Sequence, residues 1–331
     1  MNWFERGWYK QHKGTYLLMP LALLFSCLSA IRRWLFRFNL KKKYRSNKPV
    51  IVVGNITVGG TGKTPFVIWL VEFLRAQGLN PGVISRGYGG QITQGVHLIQ
   101  PDDHAELVGD ETRLIANRTQ APVVVGSNRA ECCQKLEQLD VDLIISDDGL
   151  QHYALARDLE IILLDGSRLL GNGWLLPVGP LRELSWRVRD AEFVITNGQV
   201  DSSFTKHYFN VVPQPLTPVS TNSQTPGVFN REQPSHAVCA IGNPQRFYRS
   251  LAEQNIQILE YHHFIDHHKF KASDFARFNN EQVVMTEKDA VKCNTFANDS
   301  WWYLPIGVEP DGNFIQKLTD KIQLIRKNYG I

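Results

Sequence analysis

The residues best suited to chemistry lie in a glycine-rich segment, residues 54–65 (GNITVGGTGKTP), which follows the apolar run 50–53. A strand, a glycine loop, Gly-Lys-Thr and a helix together form the arrangement that holds a nucleoside triphosphate. Backbone N–H groups reach the phosphates, Lys63 offers a charge to the β/γ oxygens, and Thr64 offers a hydroxyl to Mg²⁺. Thr57 stands where the general pattern has its first glycine. We predict a nucleotide-binding loop made of Val58, Gly59, Gly60, Thr61, Gly62, Lys63, Thr64 and Pro65.

A second group of candidate residues is acidic. Asp147 and Asp148 end an apolar run, as in a Walker-B strand whose terminal carboxylate holds Mg²⁺ together with the loop threonine. Another pair, Asp110 and Glu111, lies in a less ordered stretch, and the order of strands in a sheet could bring it beside the glycine loop. Adjacent acids are also common in exposed turns, so the residues alone leave both interpretations open.

Histidine and arginine supply the remaining candidates. Segment 262–268 (HHFIDHH) does not have the spacing of a closed zinc site, and no cysteine accompanies it. A histidine beside a carboxylate is better suited to act as a general base for an alcohol, because its ordinary pKa is about 6.5. Arg86, Arg129 and Arg182 follow predicted strands or lie in predicted loops, where an anionic substrate would bind.

The elements that must position these residues follow an alternating pattern. Short apolar, β-branched runs predict strands at 50–53, 81–85, 121–126, 141–145, 159–164 and 193–196, with helices at 66–76 and 129–139. This alternation is typical of an α/β fold with a mostly parallel sheet covered by helices on both faces. Ligands of such sheets bind beyond the carboxyl ends of the strands, where the candidate residues lie.

The 331 residues are enough for two domains. Around 214–235 the chain becomes rich in proline, serine, threonine and asparagine and loses periodicity, which is typical of a linker. Strands at 237–242 and 282–286 and helices at 246–254 and 314–327 follow it. We predict an N-terminal anchor and basic linker (1–48), a P-loop domain (49–213), a linker (214–235) and a smaller α/β domain (236–331) that closes over the site.

The N-terminal segment predicts contact with a membrane. Residues 16–31 carry no charge, aromatic residues flank them, and eight basic residues without an acid follow between 32 and 48. This pattern is typical of a membrane-interface anchor with the rest of the chain on the cytoplasmic side, whereas a buried core helix and a signal peptide are the alternatives. As a helix the run would be about 24 Å long, shorter than the ~30 Å hydrocarbon core, so it could span the bilayer or lie in its interface.

Cysteine usage agrees with an intracellular location. Five cysteines, with no C-x-x-C spacing, fit a reducing compartment and predict no structural metal site.

Seven motifs in chain order resemble those of the tetraacyldisaccharide 4'-kinase family, the lipid A 4'-kinases of Gram-negative bacteria. The irregular Thr57 also matches this family, which normally lacks the first glycine of the loop. The motifs are Gly54–Pro65, Ser85–Gly90, Gly109–Glu111, Asp147–His152, Leu176–Glu183, Asp266–His267 and Thr286–Lys292.

The resemblance implies ATP-dependent phosphorylation of the 4'-hydroxyl of a tetraacylated glucosamine disaccharide 1-phosphate, giving the lipid IVA precursor of lipopolysaccharide. It implies ATP and Mg²⁺ as cofactors and the cytoplasmic face of the inner membrane, with its anionic lipids, as the location. No obligate protein partner is inferred. The implied roles are Lys63, Asp110 and His267 in catalysis; Thr64, Glu111, Asp147 and Asp148 around Mg²⁺; and Arg86, Tyr88, Arg129, His152 and Arg182 at the substrate. Either His267 or His268 could face Asp110, and we predict His267.

Two other classes of protein are less consistent with the residues. A membrane-attached GTPase should carry Asn-Lys-x-Asp after a late strand, but this chain has residues 196–199 (TNGQ) there, without the lysine. A nucleic-acid-binding ATPase would need basic residues away from the apolar run, and here the two adjoin. We therefore predict no nucleic acid partner.

Overall fold

The computed structural model describes residues 3–10, 13–200, 204–205, 207–220, 228–278 and 281–331. The strands in these ranges are β1 Val50–Gly54, β2 Pro81–Ser85, β3 Val96–Leu98, β4 Val123–Gly126, β5 Leu143–Asp147, β6 Leu159–Asp165, β7 Phe193–Asn197, β8 His207–Pro213, β9 Thr217–Pro218, β10 Ser235–Cys239, β11 Ile258–His263, β12 Val283–Thr286, β13 Trp301–Leu304 and β14 Ile306–Pro310.

The described ranges also contain α-helices and two short 3₁₀ helices, Lys13–Leu18 and Ala276–Phe278. The α-helices are α1 Trp3–Tyr9, α2 Met19–Arg37, α3 Lys63–Ala76, α4 Ala105–Val108, α5 Asp110–Thr119, α6 Arg129–Glu137, α7 Trp186–Asp190, α8 Pro244–Glu253, α9 Ala272–Phe275, α10 Glu287–Cys293 and α11 Gly312–Tyr329.

Nine strands form a large sheet in the order β14-β8-β7-β6-β1-β5-β2-β4-β3. The strands from β8 to β4 pair in parallel, and only the edge strands of this sheet, β3 and β14, are antiparallel. Successive residues of β1 alternate between two cores: Ile51 and Val53 pack with α3 on one face, and Val50 and Val52 belong to the core on the other. The predicted α/β fold, with helices on both faces of a mostly parallel sheet, is confirmed.

The order of the strands brings the candidate segments to one edge of the large sheet. Strand β1 lies between β6 and β5, and β5 pairs with β2 on its other side. The segments that follow these parallel strands therefore leave the sheet at the same edge, which is where ligands of open α/β sheets bind.

Five strands form a second, smaller sheet in the order β11-β10-β12-β13-β9. Two ion pairs connect helices beside the small sheet with elements of the large sheet. Arg246 of α8 lies 2.8 Å from Asp165 at the end of β6, and Glu287 of α10 lies 2.8 Å from Arg118 of α5. Within the predicted linker, β9 pairs with β13, while residues 221–227 lie outside the described part of the chain.

The end of the chain returns to the large sheet, whereas we assigned all of 236–331 to the smaller unit. Strand β14 follows β13 after one residue and pairs antiparallel with β8. The apolar stripe of α11, which includes Phe314, Leu318 and Ile322, packs in the same core as Phe66 of α3. Helical periodicity gave the helix but could not show against which sheet its apolar stripe packs.

Among the residues that the structure describes, one helical stretch, Lys13–Arg37, is long and apolar enough to cross a membrane. It exceeds the predicted run of 16–31 because the helix continues through Arg32, Arg33 and Arg37. Only 11% of the most apolar part of this stretch is buried. Ahead of this stretch, Trp8 of α1 donates from Nε1 to the carbonyl of Pro177 at 3.0 Å. A mostly exposed apolar helix is a weak sign of membrane association.

Candidate active site

The glycine loop connects β1 to α3 and is held in shape by its own side chains. Asn55 is buried and donates from Nδ2 to the carbonyl of Thr57 at 2.7 Å. Gly62 has a φ of +87°, and a Cβ there would lie 2.8 Å from Nδ2 of Asn197. Only glycine meets both requirements without strain. The loop leads directly into the N-terminus of α3, where the N–H groups of Lys63 and Thr64 come before the first intrahelical bond, as in an anion-binding helix N-terminus.

Lys63 begins α3 and points back across the loop. Its Nζ donates to Oδ1 of Asn55 at 3.1 Å and lies 3.6 Å from Oδ1 of Asp148. Arg182 lies 3.1 Å from the other carboxylate oxygen of Asp148. Burial would raise the pKa of Asp148, but Lys63 and Arg182 outweigh burial and lower it. The site thus holds two cations near the loop, which share one ionised carboxylate.

Asp147, the last residue of β5, is buried beside the loop. Ser85 at the end of β2 donates from Oγ to its Oδ2 at 3.0 Å, but Oδ1 has no hydrogen-bond partner among the described residues. Burial, and then the charges of Glu111 and Asp148, raise its pKa to about 6. An unpartnered buried carboxylate oxygen near two other carboxylates has the chemistry of a cation ligand.

Asp110 at the start of α5 and His267, which follows β11, line one cleft and form a pair. Nδ1 of His267 lies 3.0 Å from Oδ2 of Asp110, whereas His268 pairs with Asp274 at 3.0 Å. The hydrogen bond with Asp110 raises the pKa of His267. Burial would raise the pKa of Asp110, but the bond with His267 and the charge of Lys288 outweigh it and lower that pKa. The geometry matches the prediction that His267, not His268, faces Asp110.

The other predicted substrate residues divide into two groups. Tyr88 is exposed, and its ring lies edge-on to His267 with centroids 5.2 Å apart. Arg129 and His152 line a separate cavity of about 310 Å³. Burial, followed by the charges of Arg129 and Arg32, lowers the pKa of His152 to about 4. Arg86 is exposed and is also close enough to affect His152.

Arg129, which we predicted at the substrate, has almost no exposed surface. It is buried at the start of α6, and Nη2 donates to the backbone carbonyl of Asp147 at 2.8 Å. Its Nε and Nη1 have no hydrogen-bond partner among the described residues. Arg129 therefore both supports the end of β5 and leaves donors unused beside the cavity.

Sequence reasoning assigned no role to three polar residues that the structure places here: Asn55, Ser85 and Lys288. Lys288 lies 3.0 Å from Oε1 of Glu111 and 3.8 Å from Oδ2 of Asp110. All three residues belong to motifs named above. A single sequence does not show, however, that Asn55 contacts Lys63 or that Ser85 contacts Asp147, because a solvent-exposed polar side chain would look the same.

A second histidine cluster lies outside this site. Ligand atoms of His236, Glu260 and His262 lie within 4.8 Å of one another. Arg277 donates to Nδ1 of His262 at 2.7 Å, so Nε2 of His262 carries the ring proton and donates to Nδ1 of His236 at 3.0 Å. His236 in turn contacts Glu281 through Nε2. The four ring nitrogens are thus occupied in a hydrogen-bonded chain, which explains the cluster without a metal.

A phosphate-binding loop in a parallel sheet, a carboxylate at the end of the neighbouring strand and an acid–base pair across a cleft define a nucleotide-dependent kinase of the P-loop class. Comparison with known families extends this assignment. Residues 15–323 match the family model described as tetraacyldisaccharide-1-P 4'-kinase, and the chain belongs to this family. The family that the seven motifs predicted is confirmed, as is its class, a phosphotransferase.

Relatives and a solved structure agree over nearly the whole chain. The tetraacyldisaccharide 4'-kinase of Shewanella woodyi is 47% identical, with 98% of this chain and 96% of the relative covered. That of Actinobacillus succinogenes is 46% identical, with 96% and 97% covered. A crystal structure of the Aquifex aeolicus LpxK protein, described as an apo form in complex with ATP, superposes with a TM-score of 0.81 at 28% identity, covering 94% of this chain and 99% of that one.

Proposed function

We propose that the protein transfers the γ-phosphoryl group of ATP to the 4'-hydroxyl of a tetraacylated glucosamine disaccharide 1-phosphate. The observation that carries the proposal is the Asp110–His267 pair, a group that can accept an alcohol proton, beside a phosphate-binding loop. Glu111, next to Asp110 in the chain, is close enough to Asp147 to raise its pKa, so the pair and the loop belong to one site. The names of the relatives and the ATP complex of the Aquifex protein support the same reaction.

In this proposal the loop 58–65 holds the triphosphate of ATP. The N–H groups at the start of α3 and the ammonium of Lys63 bind its β- and γ-oxygens, and they stabilise the charge that spreads over the γ-phosphoryl group during transfer. Without nucleotide, Lys63 and Arg182 both pair with Asp148. Both cations can instead contact phosphate oxygens when the nucleotide enters.

The carboxylates suit Mg²⁺, which prefers oxygen ligands. The unpartnered Oδ1 of Asp147 is the observation that fits a cation here. Thr64, Glu111, Asp147 and Asp148 would hold the ion, which supplies positive charge to the phosphate oxygens when bound. Its charge would also keep Asp147 ionised despite the burial of that residue.

We assign acceptance of the hydroxyl proton to the carboxylate of Asp110. In the pair, Nδ1 of His267 is used by Asp110, and Nε2 faces the ammonium of Lys288 at 3.4 Å. Asp110 accepts from the N–H of Glu111 and from His267, and a carboxylate has further lone pairs for a hydroxyl. His267 fixes the orientation of Asp110, and Tyr88 offers an aromatic face beside it.

The cavity at Arg129 and His152 fits the other end of the acceptor. Arg129, Arg32 and Arg86 each disfavour the protonated form of His152, so the surroundings of this residue are electropositive. Arg129 also has unused donors there. We assign the cavity to the 1-phosphate of the acceptor. A phosphate would be attracted by the positive charge of the arginines and could accept hydrogen bonds from the unused N–H groups of Arg129.

A substrate with four acyl chains stays in the bilayer, because each buried CH₂ contributes about 0.8 kcal/mol. The enzyme must therefore bind the membrane surface, and we assign this role to the exposed face of α2. Leu24, Leu28 and Ile31 lie on one side of the helix and are each more than half exposed. Arg32 belongs to the same helix and affects His152, so the helix connects the surface to the acceptor cavity.

Replacing Leu24, Leu28 and Ile31 together by serine should weaken binding to phosphatidylglycerol-containing vesicles at least about a hundredfold, because each side chain contributes roughly 1.5–3 kcal/mol when buried. Nucleotide affinity should not change. Vesicle co-sedimentation and fluorescent-ATP titration measure the two effects. Leu324→Ser, at an exposed leucine of α11, is the matched control. Unchanged vesicle binding by the triple variant would show that another surface docks on the membrane.

The reaction itself is tested by supplying γ-³²P-labelled ATP and the tetraacylated acceptor in vesicles. The proposal requires label in the lipid fraction, whereas label found only as free phosphate would indicate hydrolysis and exclude a kinase acting on this acceptor.

A further inference from the structure

The motif Thr286–Lys292 forms the start of α10, and several hydrogen bonds and an ion pair fix its first turn. The proposed reaction assigns no role to this turn. Thr286 caps the helix by accepting from the N–H of Asp289 at 3.2 Å. Asp289 is fully buried, and its carboxylate accepts from the N–H of Ala240 at 2.9 Å and pairs with Lys292 at 2.6 Å. These bonds fix the backbone of the turn that carries Lys288.

Lys288 extends from this turn into the acidic side of the cleft. Its Nζ lies 3.0 Å from Glu111, 3.8 Å from Asp110 and 3.8 Å from Asp266. The ammonium of Lys288 therefore lies among three carboxylates, and the side chain connects α10 to the start of α5.

The same ammonium lies 3.4 Å from Nε2 of His267. An ammonium group has only donors, so Nε2 of the neutral imidazole must be the acceptor of this contact. The proton of the ring then resides on Nδ1, from which it is donated to Oδ2 of Asp110. Asp110 can only accept, so its carboxylate already favours the tautomer with the proton on Nδ1. The ammonium of Lys288 adds that a second proton, on Nε2, would face a cation. Without Lys288 the surrounding carboxylates would favour the doubly protonated ring.

We propose that Lys288 is a positioning residue for phosphoryl transfer, which keeps Nε2 of His267 unprotonated, so that the neutral ring donates from Nδ1 to Asp110. This inference rests on the proposed function, since it assigns Lys288 a task in preparing Asp110 to accept the hydroxyl proton. Lys288 itself is not required to touch the substrate.

The first measurement is the state of His267 itself. In ¹⁵N-histidine-labelled full-length protein in detergent micelles, at about pH 8.5, where an ordinary imidazole is neutral, the nitrogen shifts report which ring nitrogen carries the proton. The signal is assigned with His267→Gln. We expect a neutral ring with the proton on Nδ1 in the wild type, a larger doubly protonated fraction in Lys288→Met, and the wild-type state in Lys288→Arg.

The second measurement is steady-state transfer. Lys288→Met should lower kcat about a hundredfold, since small misplacements of reacting groups have effects of that size, while KM for ATP stays nearly unchanged. Lys288→Arg should fall between this variant and the wild type. Lys292→Met removes the other ammonium of α10 and should lower the melting temperature without changing the His267 signal, which distinguishes positioning from general stability.

A wild-type His267 signal together with a wild-type kcat in Lys288→Met would overturn the inference, as would a loss of kcat that occurs without any change at His267. The nitrogen shifts need no acceptor. If the wild type labels no lipid, the proposed function fails, but the tautomer of His267 still tests the contact with Lys288.

Discussion

Replacing Asp110 by asparagine should lower kcat for lipid phosphorylation about 10³-fold, because a general base contributes 10²–10⁴ and an amide cannot accept the hydroxyl proton. The affinity for ATP should stay close to that of the wild type. Asp110 contacts His267, Lys288 and the N–H of Glu111, and none of these contacts involves the phosphate loop. Single-turnover transfer and fluorescent-ATP binding measure the two quantities separately.

The neighbouring histidine supplies a matched control for this variant. Asp274 pairs with His268 at 3.0 Å, the same distance as in the Asp110–His267 pair. Asp274→Asn should retain most of the activity. If Asp110→Asn loses ATP binding together with transfer, Asp110 is a metal-binding or structural residue and the assignment of the base is wrong.

Replacing Asp147 by asparagine should have opposite effects on activity and stability. Without this carboxylate, transfer should fall about a hundredfold or more, as expected when a group that organises charge at the phosphates is lost. The free energy of unfolding of the nucleotide-free protein at pH 8 should rise by about 2–3 kcal/mol. An asparagine can still accept the hydrogen bond from Ser85, so the packing of β5 is retained.

The pH dependence of this gain follows from the direction of the pKa shift. The pKa of Asp147 rises from 3.8 to about 6 on folding, so its ionised form destabilises the folded chain. Below about pH 4 the carboxyl is protonated in both states and the variant should have no advantage. The advantage should grow between about pH 4 and pH 6 and be complete above that range.

Asp148→Asn is the control for the stability effect. Asp148 is ion-paired with Lys63 and Arg182, and its pKa is lowered rather than raised. Its replacement should give no gain in stability at pH 8. Denaturant unfolding at pH 4, 6 and 8, without nucleotide or divalent cations, measures both variants. If the Asp147→Asn protein is no more stable than the wild type at pH 8, the ionised carboxylate of Asp147 does not destabilise the folded chain, and this account of Asp147 is wrong.

Much of the fold could be predicted because its signals are local. Strands β1, β2 and β7 are short apolar runs bounded by turn residues, and the glycine loop identifies the element on either side of it. Helix α5 was missed because its ten residues (DETRLIANRT) carry few apolar side chains, and its burial depends on contacts with α3. The pairing of β14 with β8 was not predicted, because the sequence of a strand does not show which distant strand it pairs with, and these two are more than 90 residues apart.

The site could be predicted where a residue's chemistry is tied to a motif, as for Lys63, Asp110 and His267. Residues that act through another side chain were not predictable in the same way. Lys288 became visible only when folding placed it against Glu111 and His267, and Arg129 when its guanidinium was found beneath Asp147. The role of such residues depends on distances between segments far apart in the chain. The predicted domain boundaries and the roles of the individual site residues stay predictions.

The most direct test of the proposed function is the position of the transferred phosphate. Labelled product from γ-³²P-labelled ATP and the tetraacylated disaccharide 1-phosphate is extracted and treated with mild acid, which cleaves the glycosyl 1-phosphate but not an ordinary phosphate ester. We expect the label to remain on the lipid after this treatment, and Asp110→Asn to give almost none. Label released by mild acid, or label present only as inorganic phosphate, would contradict phosphorylation of the 4'-hydroxyl.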